Sequence, residues 1–126
     1  MKPVDQTKTL DGGERGNCLA ACLASLFECK LDDVPALEEL PPGAWKIAMA
    51  QWASSLGKEL IKRDPDQYCP DVHYIAVGLS DRGNRHATIG LNGVVVHDPH
   101  SARKGLERVE YVFTLENLTD DLPQIA

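Results

Sequence analysis

Apolar residues recur at helical spacing in the first half of the chain. Over residues 18–28, Leu19, Cys22, Leu23, Leu26 and Phe27 line up as one stripe, which predicts an amphipathic helix. Residues 5–17 before it are polar and glycine-rich and read as a loop. That loop ends on Asn17, whose side-chain oxygen suits an N-cap. Residues 31–37 carry acids near their start and a proline in the first turn, so a short second helix is expected there, stopped by Pro41-Pro42-Gly43. A third helix is predicted over 44–56. Trp45, Ala48, Met49, Trp52 and Leu56 would form its buried face, and Gly57 would supply a left-handed end. Both tryptophans read as core.

The period then changes from helical to alternating. Strands are expected at 59–63, 74–79, 86–91, 94–98 and 109–115, with a proline-containing, turn-rich connection over 64–71. Asn92-Gly93 between two apolar runs is a strong two-residue hairpin signal. Pro99 cannot extend the ladder. Helices gathered in the first half and strands in the second predict an α+β fold, with N-terminal helices packed on a small antiparallel sheet.

Length and composition narrow this picture. At 126 residues the chain suits one domain, 1–126, with a single core. A formal net charge of −6 disfavours contact with a phosphate backbone, so no nucleic-acid partner is expected. No apolar run is long enough to span a bilayer, so no membrane partner is expected either. Met1-Lys2-Pro3-Val4 does not resemble a secretory signal. A cytoplasmic location follows as an expectation, with the four cysteines as free thiols.

Three residues then stand out as candidate chemistry. Cys18 falls in the first turn of its helix, where unpaired amides and the helix dipole favour a thiolate. Cys22, one turn further in, reads as a core residue. His86 opens a strand in which Ala87, Ile89 and Leu91 form the core set, leaving His86, Thr88 and Gly90 on the less apolar face. A two-residue turn at 92–93 pairs Leu91 with Val94 and His86 with about position 99. Asp98 thereby falls beside His86, within side-chain reach. A carboxylate there could hold the imidazole as the third member of a triad. It could equally cap the turn at Pro99.

The order Cys, His, Asp is that of papain-like enzymes. Gly16-Asn17-Cys18-Leu19-Ala20-Ala21-Cys22-Leu23 resembles the nucleophile segment of small papain-like domains. These are similar to the bacteriocin-processing, double-glycine-leader peptidases and their stand-alone bacterial and phage relatives. His86-Ala87-Thr88-Ile89-Gly90 and Val95-Val96-His97-Asp98-Pro99 resemble the histidine strand and Asp-Pro segment of that group. Val4-Asp5-Gln6-Thr7 resembles the stretch carrying the oxyanion-hole glutamine, which would make Gln6 that residue. The chain departs from the pattern in two places. Leu19 stands where the family often has a small residue, and Gln6 lies twelve positions before Cys18, further than is usual. Residues 8–16 would have to loop out, or Asn17 or a backbone amide would have to serve instead.

The resemblance implies a thiol hydrolase or acyl transferase acting on a peptide or protein substrate, without cofactor or metal. Two other readings fit the residues. One is a catalytically inactive domain of the same fold used for binding or regulation. The other is a zinc site drawing on Cys18, Cys22, His97 and His100, which lacks any paired Cys-x-x-Cys. His73 reads as surface, and His100 as part of a cleft rim.

Overall fold

The structure, a computed structural model, describes residues 1–9 and 15–118. Residues 10–14 of the expected loop lie outside them. The described elements run α1 (Cys18–Phe27), two 3-10 turns (Leu31–Asp33 and Leu37–Glu39), α2 (Ala44–Ser55), β1 (Lys58–Arg63), β2 (Tyr74–Leu79), β3 (Arg85–Leu91), β4 (Val94–His97) and β5 (Arg108–Asn117). One antiparallel sheet holds the strands in the order β1-β5-β2-β3-β4. The fold is α+β, as the pattern predicts.

Helix α1 is more deeply set than its stripe implies. Residues Ala20 to Ser25 are all buried, and six consecutive positions cover the whole circumference of a helix. Its small residues allow that close approach. Leu23, Ala24 and Cys22 pack with Ile75, Val77, Ala87 and Ile89 of the sheet in the main core. The region after it departs from the expected second helix, because it forms two separate 3-10 turns. Val34 and Leu40 each precede a proline and are extended, at ψ 137° and 152°. The proline ring clashes with a helical residue before it, so Pro35 and Pro41 cut the segment into single turns. In α2, Met49 and Ala53 are buried and Trp45 and Trp52 are half-buried, whereas Leu56 is exposed at 50%. Leu56 sits at the frayed end of the helix, just before Gly57 reverses the chain at φ +72°.

The Asn92-Gly93 turn has positive φ at both residues, as a type I′ hairpin requires. Leu91 pairs with Val94 and Gly90 with Val95, but Ile89 then pairs with His97. Val96 is therefore an extra residue on β4, a bulge that the simple register did not include. The expected polar face of β3 is also buried. Thr88 is fully buried on the face where Tyr74, Ala76 and Val112 form a second cluster packed by Tyr68 and Leu106, and His86 is 4% exposed against Asp98.

Candidate active site

The N-terminal segment is strapped between α1 and the end of β4. Ser25, fully buried, donates to Ala21 O and accepts from Val4 N. Lys2 N donates to Ser25 O, and Gln6 N donates to Pro99 O. The His97 ring bonds Val4 O at 2.9 Å. Gln6 is thereby fixed beside the loop that carries Asp98.

Asn17 does not cap α1. Its side chain faces backwards instead, accepting from Thr7 N and Lys8 N and donating to Thr7 Oγ1. Asn17 N also donates to Lys8 O. Asn17 is 5% exposed, so these bonds form a sheltered clasp between the N-terminal segment and the start of α1. The clasp answers the spacing problem, since it joins Thr7 and Lys8 to Asn17 and so brings Gln6 onto one cavity with Cys18.

Gln6, Cys18 and His86 line one small cavity of about 70 Å³, together with Arg82, Asn84 and Arg85. His86 Nε2 lies 2.6 Å from Asp98 Oδ1, and both side chains are almost wholly buried. Asp98 also accepts from His100 N through Oδ1 and from Gly105 N through Oδ2. It therefore holds the histidine and caps the turn after Pro99 at once. Arg103 donates to the backbone carbonyl of Asp98 and clamps Asp5 with two bonds. Gly78 stands opposite His86, and a Cβ there would strike Arg108 O at 1.8 Å. No larger residue fits where β5 runs so close to β2, the strand beside the histidine strand.

Charge follows from this geometry. Burial, the largest influence on His86, disfavours its charged form. The hydrogen bonds and negative charges of Asp98 and Cys18 outweigh it and lift the ring to about 9. Burial likewise opposes the charged form of Asp98. Its bonds to His86 and to two backbone amides prevail and hold it down at about 2. Cys22 is the contrasting case, since complete burial, reinforced by the charges of Cys18 and Asp98, pushes its thiol well up.

The pair should therefore stabilise the fold over a defined window. The folded value of His86 lies above 6.5, so its contribution is complete below about pH 6.5 and is lost as pH rises through about 9. The folded value of Asp98 lies below 3.8, so its contribution is complete above about pH 4 and is lost as pH falls toward 2. The melting-temperature gap between wild type and Asp98→Asn should be widest between about pH 4 and 6.5 and narrow by pH 9. A gap unchanged over that rise would refute the raised imidazole.

A second cavity of about 270 Å³ opens on the other side of Cys18 and His86. Its walls are mostly apolar, with Leu19, Trp45, Val77, Tyr111 and Phe113, and Arg85 lines it as well. Trp45, read as core, thus also lines a cavity at the thiol. The helical stripe could not show this, because the sheet residues opposite it come from distant sequence. Arg82 and Arg85 were missed as well. Their only sequence signal was position, in and just after the turn that leads into the His86 strand. His100 lines the small cavity, with its ring 6.2 Å from that of His86 and nearly perpendicular to it. The four cysteines are free. Among the described residues no three His, Cys, Asp or Glu side chains gather as a metal site, and no helix is long and apolar enough to cross a membrane.

No protein-family model matches the chain, and no curated protein or solved structure matches it.

Proposed function

We propose that this chain is a papain-like thiol hydrolase or acyl transferase that acts on a peptide or amide bond. The observation that carries the reading is the buried His86–Asp98 pair, presented to a thiol in the first turn of α1. His86 protonated beside Cys18 favours the thiolate. The thiolate attacks the substrate carbonyl carbon, and negative charge gathers on the carbonyl oxygen. The Gln6 amide gives one N–H to Lys8 O and keeps a second for that oxygen, with the backbone N–H groups of the helix start beside it. Collapse breaks the C–N bond. The leaving amine takes its proton from His86, and a thioester remains on Cys18. Neutral His86 then removes a proton from water, or from an acceptor amine, which attacks the thioester and restores the thiol pair. Asp98 keeps the ring in one orientation throughout. The apolar cavity would take a hydrophobic group of the substrate. The protein would work without metal or cofactor, in the cytoplasm.

The test is a mixed peptide library incubated with the protein and read by mass spectrometry. Wild type should generate new termini next to apolar residues, and Cys18→Ala should generate none. An unchanged library, with a Cys18 no more reactive than the other thiols, would favour a binding module instead.

A further inference from the structure

Among the described residues, two buried side-chain polar atoms have no hydrogen-bond partner, Arg82 Nη1 and Gln6 Oε1. Both belong to side chains that line the same small cavity as Cys18. Buried donors and acceptors are nearly always paired in native proteins, so an orphaned donor and an orphaned acceptor on one cavity mark a place for a ligand.

Arg82 is held there by its turn. Ser80, 2% exposed, accepts from Arg82 N, donates to Asn84 Oδ1 and receives the return bond from Gly83 N on its carbonyl. The nearest carboxylate does not satisfy Arg82. Asp81 Oδ1 stands 3.5 Å from Nη1, beyond the 2.7–2.9 Å typical of a charge-assisted bond, and Asp81 also faces Lys104 at 3.3 Å. Arg85, on the same cavity, carries a second positive charge and reaches Glu110 through Nε. Two arginines thus line the cavity of the thiol in a chain of net charge −6, each with one acidic neighbour.

We propose that this cavity receives an α-amido carboxylate, the C-terminal residue of a peptide or N-acyl amino acid, with the carboxylate on Arg82 and its amide group beside Gln6. This rests on the thiol-hydrolase reading of the same site and narrows its substrate class. Arg82, Gln6 and Cys18 line the same small cavity, so a carboxylate on Arg82 and a carbonyl at the thiol belong to neighbouring parts of one ligand. In the reaction the terminal C–N bond breaks and the acyl part stays on Cys18. The free amino acid leaves from the Arg82 side with its nitrogen protonated by His86.

The experiment reads binding, not turnover. The full-length, isotope-labelled protein is titrated with N-acetylglycine, N-acetylglycinamide and the α-amide of N-acetylaspartate, and amide chemical shifts are followed by NMR. N-acetylglycine should shift Ser80, Arg82 and Asn84 saturably and bind roughly tenfold tighter than either amide. In Arg82→Gln that advantage should vanish. Equal binding of N-acetylglycine and N-acetylglycinamide to wild type, or no shifts with any of them, overturns the proposal even if the variant fails to fold. Equal binding of the aspartate derivative overturns the assignment to a chain terminus. Because no step needs a reactive thiol, an inert Cys18 would sink the hydrolase reading and leave this readout intact.

Discussion

Replacing His86 by alanine should cost the protein about four orders of magnitude in turnover and all of the selective reactivity of Cys18. In the proposed mechanism the thiol at the start of α1 depends for its nucleophilic state on the imidazole of His86. An ordinary thiol at pH 6 is only about 0.3% ionised. A thiolate held by a protonated His86 escapes that limit, with a gain of up to roughly 300-fold in the reactive form. The lower basicity of such a thiolate takes back part of that, which leaves on the order of 10- to 100-fold in alkylation rate. Rates of iodoacetamide labelling at Cys18, Cys22, Cys29 and Cys69, resolved by peptide mass spectrometry, measure this directly. In wild type Cys18 should lead. Cys22 should stay unlabelled, because it is fully buried and its thiol is pushed up. In His86→Ala, Cys18 should fall to the level of exposed Cys69. A Cys18 that keeps its lead without His86 would contradict the account.

Asp98→Ala should be the most destabilising single change in the site. Its carboxylate accepts from His86 and from two backbone amides, and its side chain is 2% exposed. Alanine would strand a charged ring and two N–H groups in the interior. Breaking a buried pair in this way costs about 3–5 kcal/mol. For a chain of 126 residues that is a fall in melting temperature of roughly 12–20 °C. Asp98→Asn keeps the shape and one acceptor oxygen, so it should lose less stability. It should still lose most of the activity, because an amide cannot stabilise the protonated ring. A melting temperature within about 3 °C of wild type for Asp98→Ala would show that the carboxylate is not the keystone described here.

Much of this arrangement was legible where local signals are strong. Helix α1, strands β2 and β3 and the Asn92-Gly93 turn follow from periodicity and turn chemistry, and the hairpin puts Asp98 in the neighbourhood of His86, although the bulge at Val96 shifts the register. What was not legible came from contacts distant in sequence. The Val96 bulge lies next to His97, whose ring bonds Val4 O in the N-terminal strap, a contact across 93 positions. Alternation marked one face of β3 as the wet one. Tyr68 and Leu106, from two irregular connections, pack over the cluster on that side and dry it. Asn17 looked like a helix cap because its type and position fit one, but the amides of Thr7 and Lys8 claim its oxygen first. Nothing in the local sequence around Arg82 marks more than a turn. Only the folded chain sets its guanidinium in the cavity that Cys18 and Gln6 share.

The most direct test of the central claim is the pH dependence of alkylation at Cys18 in the wild-type protein, followed from about pH 5 to 8 with Cys69 as internal reference. An ordinary exposed thiol gains about tenfold in rate per pH unit over this range. If Cys18 is the thiolate of a His86 ion pair, its rate should stay nearly level while that of Cys69 climbs. A Cys18 rate that climbs in parallel with Cys69 would show that no such pair exists.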